Sequence, residues 1–171
     1  MRFEKVSFKA FRYDSLRCGY TEEAIKVAYD KIKLPERKTE FSAGYDMATP
    51  YPVVLHPNQR ITIPTGIKVY FEPEEALKWH LALYIRSSVG IKQQIIMSNQ
   101  TGVIDADFYN SGDGEGGMLI ALTNAGDHYR RFDAGDRVIQ GIFLPHGIVD
   151  GDEVKNRRTG GVGSTGNADN L

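Results

Sequence analysis

A chain of 171 residues is long enough for one domain with a sizeable core. Hydrophobic residues make up 41% and charged residues 25%, ordinary globular values that exclude wholesale disorder. Lys plus Arg number 21 against 22 Asp plus Glu, which excludes a long-range field for gathering nucleic acid; the lone cysteine, Cys18, excludes an intramolecular disulfide and a cysteine-rich zinc site.

The start, MRFEKVSFKAFRYD, mixes charges among apolar residues, unlike a signal peptide, and its Phe3, Val6, Phe8 and Phe11 read as a strand. TEEAIKVAYDKIKLP then reads as a helix over 21–34. Ile25, Ala28, Tyr29 and Ile32 share one face, Thr21 can cap it and Pro35 stops it. After residue 45 come short β-like runs bounded by turn residues: YPVVL, RITIPTGIKVYF, WHLALYIRS, IKQQIIMS, VIDADFY, GMLIALTN, HYRRF and RVIQGIFLP. No strand–helix alternation of the doubly wound kind is present, so an antiparallel sandwich or barrel is expected. From Gly151 onward the polar, glycine-rich sequence reads as a mobile arm. No apolar run approaches membrane-spanning length, and cytoplasmic localisation is the expectation.

Several stretches carry chemistry, each with a plain structural alternative. In TGVIDADFYNSGDGEGG (101–117), strand alternation would put Asp105 and Asp107 on one face. A carboxylate at a strand end suits a general base; an acidic hairpin end facing water is the plain reading. A calcium loop is excluded, because Asn110 stands where glycine is needed and Gly116 where glutamate is needed. RRTGGVGSTGN (157–167) matches a dinucleotide fingerprint by letters, yet nothing resembling the required unit precedes it, and Asn167 replaces the Walker lysine. It offers backbone N–H groups, the hydroxyls of Ser164 and Thr165, and Arg157 and Arg158, a set suited to a polyphosphate; a solvated tail is the alternative. YIRSSVGIK adds Arg86, Ser87 and Ser88 where a strand runs into a turn. AGDRVIQGIF places Gln140 in an apolar strand, where it needs partners, and SAGYDMAT sets Asp46 behind a glycine turn.

In chain order, AGYDM, RSSVGIK, TGVIDADFY, AGDRVIQGIF and RTGGVGSTG resemble the five motifs of the trimeric dUTPases, over residues 43–166. With the helix and arm read above, the resemblance implies an all-β fold. Residues 1–150 would form a distorted antiparallel β-barrel with jelly-roll character, one short helix being inserted near the N-terminus, and 151–171 a flexible arm. It also implies a homotrimer with active sites at subunit interfaces, the arm of one subunit closing a site formed by others. The implied reaction is hydrolysis of dUTP to dUMP and pyrophosphate, which limits uracil in DNA and supplies dUMP for dTTP synthesis.

Carried over residue by residue, the resemblance implies that Asp105 orients and deprotonates the water attacking the α-phosphorus, with Asp107 as a supporting acid. Phe108 takes the place of a tyrosine whose ring packs under the deoxyribose and leaves no room for a 2′-hydroxyl; Tyr109 is a second candidate for that task. Asn99 would read the uracil edge with the backbone near Val103 and Ile104. Arg86, Ser87, Ser88 and Gln140 would contact phosphates, and Ser164, Thr165 and one of Arg157 and Arg158 would close over the γ-phosphate. Mg²⁺ would ride on the triphosphate, with Asp46 touching its waters. One residue departs from the pattern. Val162 stands where the family carries a phenylalanine stacking on uracil, worth roughly 1–3 kcal/mol, so a raised KM is expected.

Two other functions compete. Some phage members of the family also bind repressor proteins, and the acidic stretch 111–117 is a candidate surface for such a regulatory partner or a plain solvated loop. The related dCTP deaminase shares the fold but needs a glutamate in the uracil pocket, and no residue here matches it.

Overall fold

The computed structural model describes residues 1–154 together with Asn156 and Arg158; Arg157, Val162, Ser164 and Thr165 lie outside them. The N-terminus departs from the expected strand. Only Arg2–Lys5 is extended (β1), and Phe8–Arg17 is a helix (α1). Ser7 caps that helix, its hydroxyl accepting from the Ala10 amide at 3.2 Å. Phe8 and Phe11 are three apart, a helical spacing that buries Phe11 and leaves Phe8 38% exposed. The second helix, Glu22–Lys31 (α2), is the expected one. Thr21 caps it by accepting from the Ala24 amide at 3.3 Å, and Glu22 and Glu23 sit at its positive end. The chain thus carries two N-terminal helices instead of one. Tyr51 ties them to the strands: its ring stacks on Tyr20 at 3.7 Å and Phe11 at 5.8 Å, and its hydroxyl donates to Ser15 Oγ at 2.7 Å.

The strands that follow are Tyr45–Ala48 (β2), Val53–Leu55 (β3), Arg60–Pro64 (β4), Ile67–Tyr70 (β5), Trp79–Ile85 (β6), Ile95–Met97 (β7), Gly102–Ile104 (β8), Leu119–Asn124 (β9), Arg130–Phe132 (β10) and Arg137–Pro145 (β11). All ladders are antiparallel. One sheet has the order β2-β11-β6-β8 and another β4-β9-β7, while β1 pairs β5 and β3 pairs β10. The fold is therefore mainly antiparallel β, but among the described residues the ladders do not close into a barrel. Two strands end on Pro64 and Pro145, which have no N–H to extend a ladder, and β11 shifts register between Arg137 and Ile139. Inward residues of both larger sheets meet in one core, with Leu81, Leu83 and Ile139 from one and Ile63, Ile120 and Leu122 from the other.

Register along β6 decides where chemistry can occur. Leu83 lies opposite Gly102 and Leu81 opposite Ile104, so Asp105 comes level with His80. Arg86 follows the other end of the strand. From 80 to 86 at about 3.3 Å per residue, the backbones that carry the two groups stand roughly 20 Å apart.

Candidate active site

The acidic group lies where β8 leaves its sheet. The strand stops at Ile104 and does not run through Tyr109 as expected. Asp105 instead caps a 3₁₀ turn, Ala106–Phe108, with the Phe108 amide donating to the Asp105 carbonyl at 3.1 Å. This turn, rather than strand alternation, gathers Asp105 and Asp107 beneath one cation. Arg158 donates from Nη2 to Asp105 Oδ2 at 3.3 Å and from Nε to Asp107 Oδ1 at 3.2 Å, with its guanidinium carbon 5.5 Å from the Phe108 ring centroid. Both aspartate side chains are 51% exposed, so each pair contributes at most about 1 kcal/mol. Asn99, Val103, Ile104, Asp105 and buried Phe108, with Arg158, line a cavity of about 240 Å³. That is less than the roughly 300–1,000 Å³ typical of whole-ligand pockets, and suits part of a nucleotide.

Tyr109 faces away from this cavity. Its hydroxyl donates to Glu4 Oε2 at 2.7 Å, its ring meets Tyr70 edge-on at 5.2 Å, and Lys68 Nζ lies 4.9 Å from its centroid. The hydrogen bond holds the Glu4 carboxyl below its usual range and raises the Tyr109 phenol. Tyr109 lines a separate cavity of about 660 Å³ beside Asp107, His146 and Asn156, with Asp105 on its wall as well. Of the two rings weighed for the sugar, only Phe108 faces the cavity lined by Asn99.

The basic group sits at the other end of β6. Asp46, on β2 rather than in a turn, holds two guanidiniums: Arg86 Nε to its Oδ1 at 2.9 Å and Arg137 Nη1 to its Oδ2 at 2.8 Å. Its side chain is only 12% exposed and both oxygens are engaged. Gln140 on β11 is opposite Asp46, and its amide oxygen packs against Gly44, where a Cβ would displace it. Asp46, Arg86, Ser87, Arg137, Gln140 and Lys38 line a cavity of about 470 Å³. Lys38 is itself paired with Glu36, so the two arginines around one aspartate carry the surplus positive charge. Planar guanidinium forks match phosphate oxygens. Ser88 opens a π-turn, Ser88–Lys92, and does not line this cavity. The amides of Val89 and Gly90 both donate to the Arg86 carbonyl at 2.9 Å, fixing how the arginine leaves the strand.

The dUTPase family profile matches residues 30–166. The chain belongs to the dUTPase family. It is 43% identical over 137 residues to the deoxyuridine 5′-triphosphate nucleotidohydrolase of Lactococcus lactis subsp. lactis, an alignment covering 79% of this chain and 89% of the relative. The crystal structure of a dUTPase from Streptococcus mutans aligns with a TM-score of 0.67 at 30% identity, covering 88% of this chain and 100% of that one. The dUTPase from phage phi11 of S. aureus shares the fold, with a TM-score of 0.60 at 20% identity over 76% of this chain and 94% of that one.

Within this dUTPase, then, the motif residues divide into two separate cavities. Asn99, Val103, Ile104, Asp105 and Phe108 share one; Asp46, Arg86, Ser87 and Gln140 share the other. Two contributors escaped sequence reading. Arg137 lies inside AGDRVIQGIF, where only its pairing with Asp46 across β2 and β11 marks it as part of the cluster. The stretch 111–117, weighed as a partner surface or a solvated loop, turns Glu115 inward, where it accepts from Ser7 Oγ at 2.6 Å and Lys68 Nζ at 3.1 Å. Those bonds hold the Glu115 carboxyl below its usual range, the Ser7 hydroxyl bond most of all.

Proposed function

We propose that the chain hydrolyses dUTP to dUMP and pyrophosphate at sites shared between the subunits of a homotrimer. The register of β6 carries this reading. The backbones of Asp105 and Arg86 lie at opposite ends of β6, roughly 20 Å apart, which three linked phosphate groups do not span by themselves. A site that joins Asp105 of one copy to Arg86 of another removes the mismatch, and cyclic symmetry repeats it at every interface.

In this reading Asp105 accepts the proton of the water that attacks the α-phosphorus, a task suited to a half-exposed carboxylate on a short, well-directed turn. Phe108 is the wall beneath the deoxyribose and excludes a 2′-hydroxyl by volume. Asn99 pairs with the uracil edge beside the backbone of Val103 and Ile104; the reversed donor pattern of cytosine would leave buried polar groups unpaired, which is costly. Arg86, Ser87, Gln140 and the added Arg137 receive the phosphates, Ser88 lying off that cavity, and Asp46 aims the two arginines. Arg158 rests on the acids, so Arg157, with Ser164 and Thr165, is the arm's contribution at the γ-phosphate.

Among the described residues no group of three His, Cys, Asp or Glu side chains could hold a metal ion, and both oxygens of Asp46 are on guanidiniums. In this reading Mg²⁺ is carried on the substrate phosphates with its waters retained. No step above runs through it.

The test is to incubate the protein with dUTP, dCTP, dTTP and UTP while following pyrophosphate and ammonia, with Asp105→Asn alongside. Pyrophosphate from dUTP alone is expected, and the amide variant should lose about 10²–10⁴ in kcat. Near-native turnover by Asp105→Asn, or ammonia from dCTP, would sink the reading.

A further inference from the structure

The loop after the acidic turn is held partly by its own bonds, the Asn110 amide donating to the Glu115 carbonyl at 3.1 Å and the Gly116 amide to the Ser111 carbonyl at 2.9 Å, and partly by side chains from elsewhere. Asn110, Gly112, Glu115 and Gly116 have φ of 58°, 60°, 54° and 70°, a region that disfavours the side chains two of them carry. A Cβ on Gly116 would run into the Phe108 carbonyl oxygen, so the loop folds tightly back over the turn. Among the described residues, and Arg158 apart, the side chains that grip it come from β1, from its partner β5 and from the cap of α1. Glu4 accepts from the Tyr109 hydroxyl at 2.7 Å. Lys68, opposite Glu4 in the β1–β5 ladder and buried, donates to Asn110 Oδ1 at 2.6 Å and to Glu115 Oε2 at 3.1 Å. Ser7 donates to Glu115 through its amide at 3.1 Å and its hydroxyl at 2.6 Å.

These grips reach the chemistry through the backbone. The Tyr109 amide donates to the Ala106 carbonyl at 3.4 Å and the Phe108 amide to the Asp105 carbonyl at 3.1 Å, so a displacement of Tyr109 moves both the acid and the ring. Residues 1–29 precede the part of the chain that the family profile matches.

We propose that the N-terminal strand and helix cap form a positioning element for the reaction: Glu4, through the Tyr109 hydroxyl, and Ser7 and Lys68, through Glu115, set the direction in which Asp105 and Phe108 meet the nucleotide. The inference rests on the dUTP reading above, in which Asp105 primes the water and Phe108 backs the deoxyribose. Glu4 and Glu115 are positioning residues, since neither lines the cavity they serve.

The experiment is steady-state kinetics with dUTP and UTP on Tyr109→Phe, Glu4→Ala and the double variant, with Asp105→Asn as a control. Each single change is expected to lower kcat about tenfold, the scale of a small misplacement of reacting groups, with KM for dUTP nearly unchanged. The preference for dUTP over UTP should shrink in parallel, a change that loss of global stability does not produce. The double variant should be no worse than Glu4→Ala alone, because Glu4→Ala already removes the Tyr109 bond along with the Arg2 Nε bond to Glu4 at 2.7 Å. Glu115→Gln, which keeps an acceptor for Ser7, should retain most of the turnover that Glu115→Ala loses. Native kcat and selectivity in Tyr109→Phe and Glu4→Ala, or losses that multiply in the double variant and follow melting temperature alone, overturn the proposal. A fully active Asp105→Asn instead overturns the hydrolase reading beneath it, so the two failures are distinguishable.

Discussion

The two ends of β6 present their functional groups in opposite ways. At the basic end the sheet does the holding: Asp46 sits within β2, Gln140 within β11, and the Arg86 amide donates to the Val138 carbonyl at 3.1 Å. At the acidic end the chain has already left the sheet, and a turn and a loop with left-handed residues are held by side chains from the N-terminal segment. Groups that receive phosphate charge can be fixed by ladder geometry alone. In the proposed reading the group that directs a water needs its own support, and here it comes from Glu4 and Ser7, which precede the matched family region, and from Lys68 within it.

The sharpest way to break this comparison is to separate the ends genetically. Asp105→Asn and Arg86→Ala should each be at least a hundredfold slower than the native enzyme, acting on proton transfer and charge stabilisation respectively. Unfolded together and refolded as mixed trimers, they should regain roughly a quarter of native activity, the product of two even chances that a site draws its acid and its arginine from intact copies. If both residues served the same site within one chain, the mixture would stay inactive, and pyrophosphate release decides the matter. At the basic end alone, Asp46→Asn removes the charge that aims two guanidiniums. KM for dUTP should rise about tenfold, the scale of a lost charge-assisted bond, with kcat nearly kept. An unchanged KM would make the cluster merely structural.

Much of this arrangement was legible in the chain. The runs between Pro, Gly, Asn and Asp became β3 to β11 almost one for one, because turn residues state where a strand must stop. Thr21 and the spacing of Ile25 and Ala28 announced α2. The first helix was hidden because Val6 and Phe8 stand two apart, as in a strand, while Phe8 and Phe11 stand three apart, as on a helix, and tertiary burial of Phe11 chose between them. Asp105, Asp107, Asp46 and Arg86 are legible in the motifs and Arg137 is not, while the division of the site between two cavities follows from strand register, which letters do not carry. The bond from Tyr109 to Glu4 spans 105 positions, and no local pattern can foretell it.

The arm is proposed to bridge the two ends, and its weak point is Val162. Val162→Phe should lower KM for dUTP about fivefold, the low end of base–ring stacking, with kcat unchanged. Titration of initial rates against dUTP checks it; a KM equal to the native value would mean that base closure in this enzyme does not use the arm's ring position, and that the acidic end lacks the lid assumed for it.

The smallest effect probes how the N-terminal segment leans on the acidic loop. Asp14 lies in the last turn of α1, where the helix dipole is unfavourable to an anion, and its carboxylate sits against Gly114 and Gly117. Burial pushes it up to about 6 from an ordinary 3.8, against the pull of Arg17. The folded chain therefore keeps this proton to a higher pH than the unfolded chain does. The stability it contributes is full below about pH 4 and is lost as pH rises through about 6. Asp14→Asn imitates the protonated form, so at pH 7.5 it should be more stable than the native chain by about 1 kcal/mol once partial exposure is discounted, and equal to it near pH 4. Urea midpoints at the two pH values measure this. A gain of the same size at both would trace the effect to helix propensity, and the loop would then press on α1 without desolvating it.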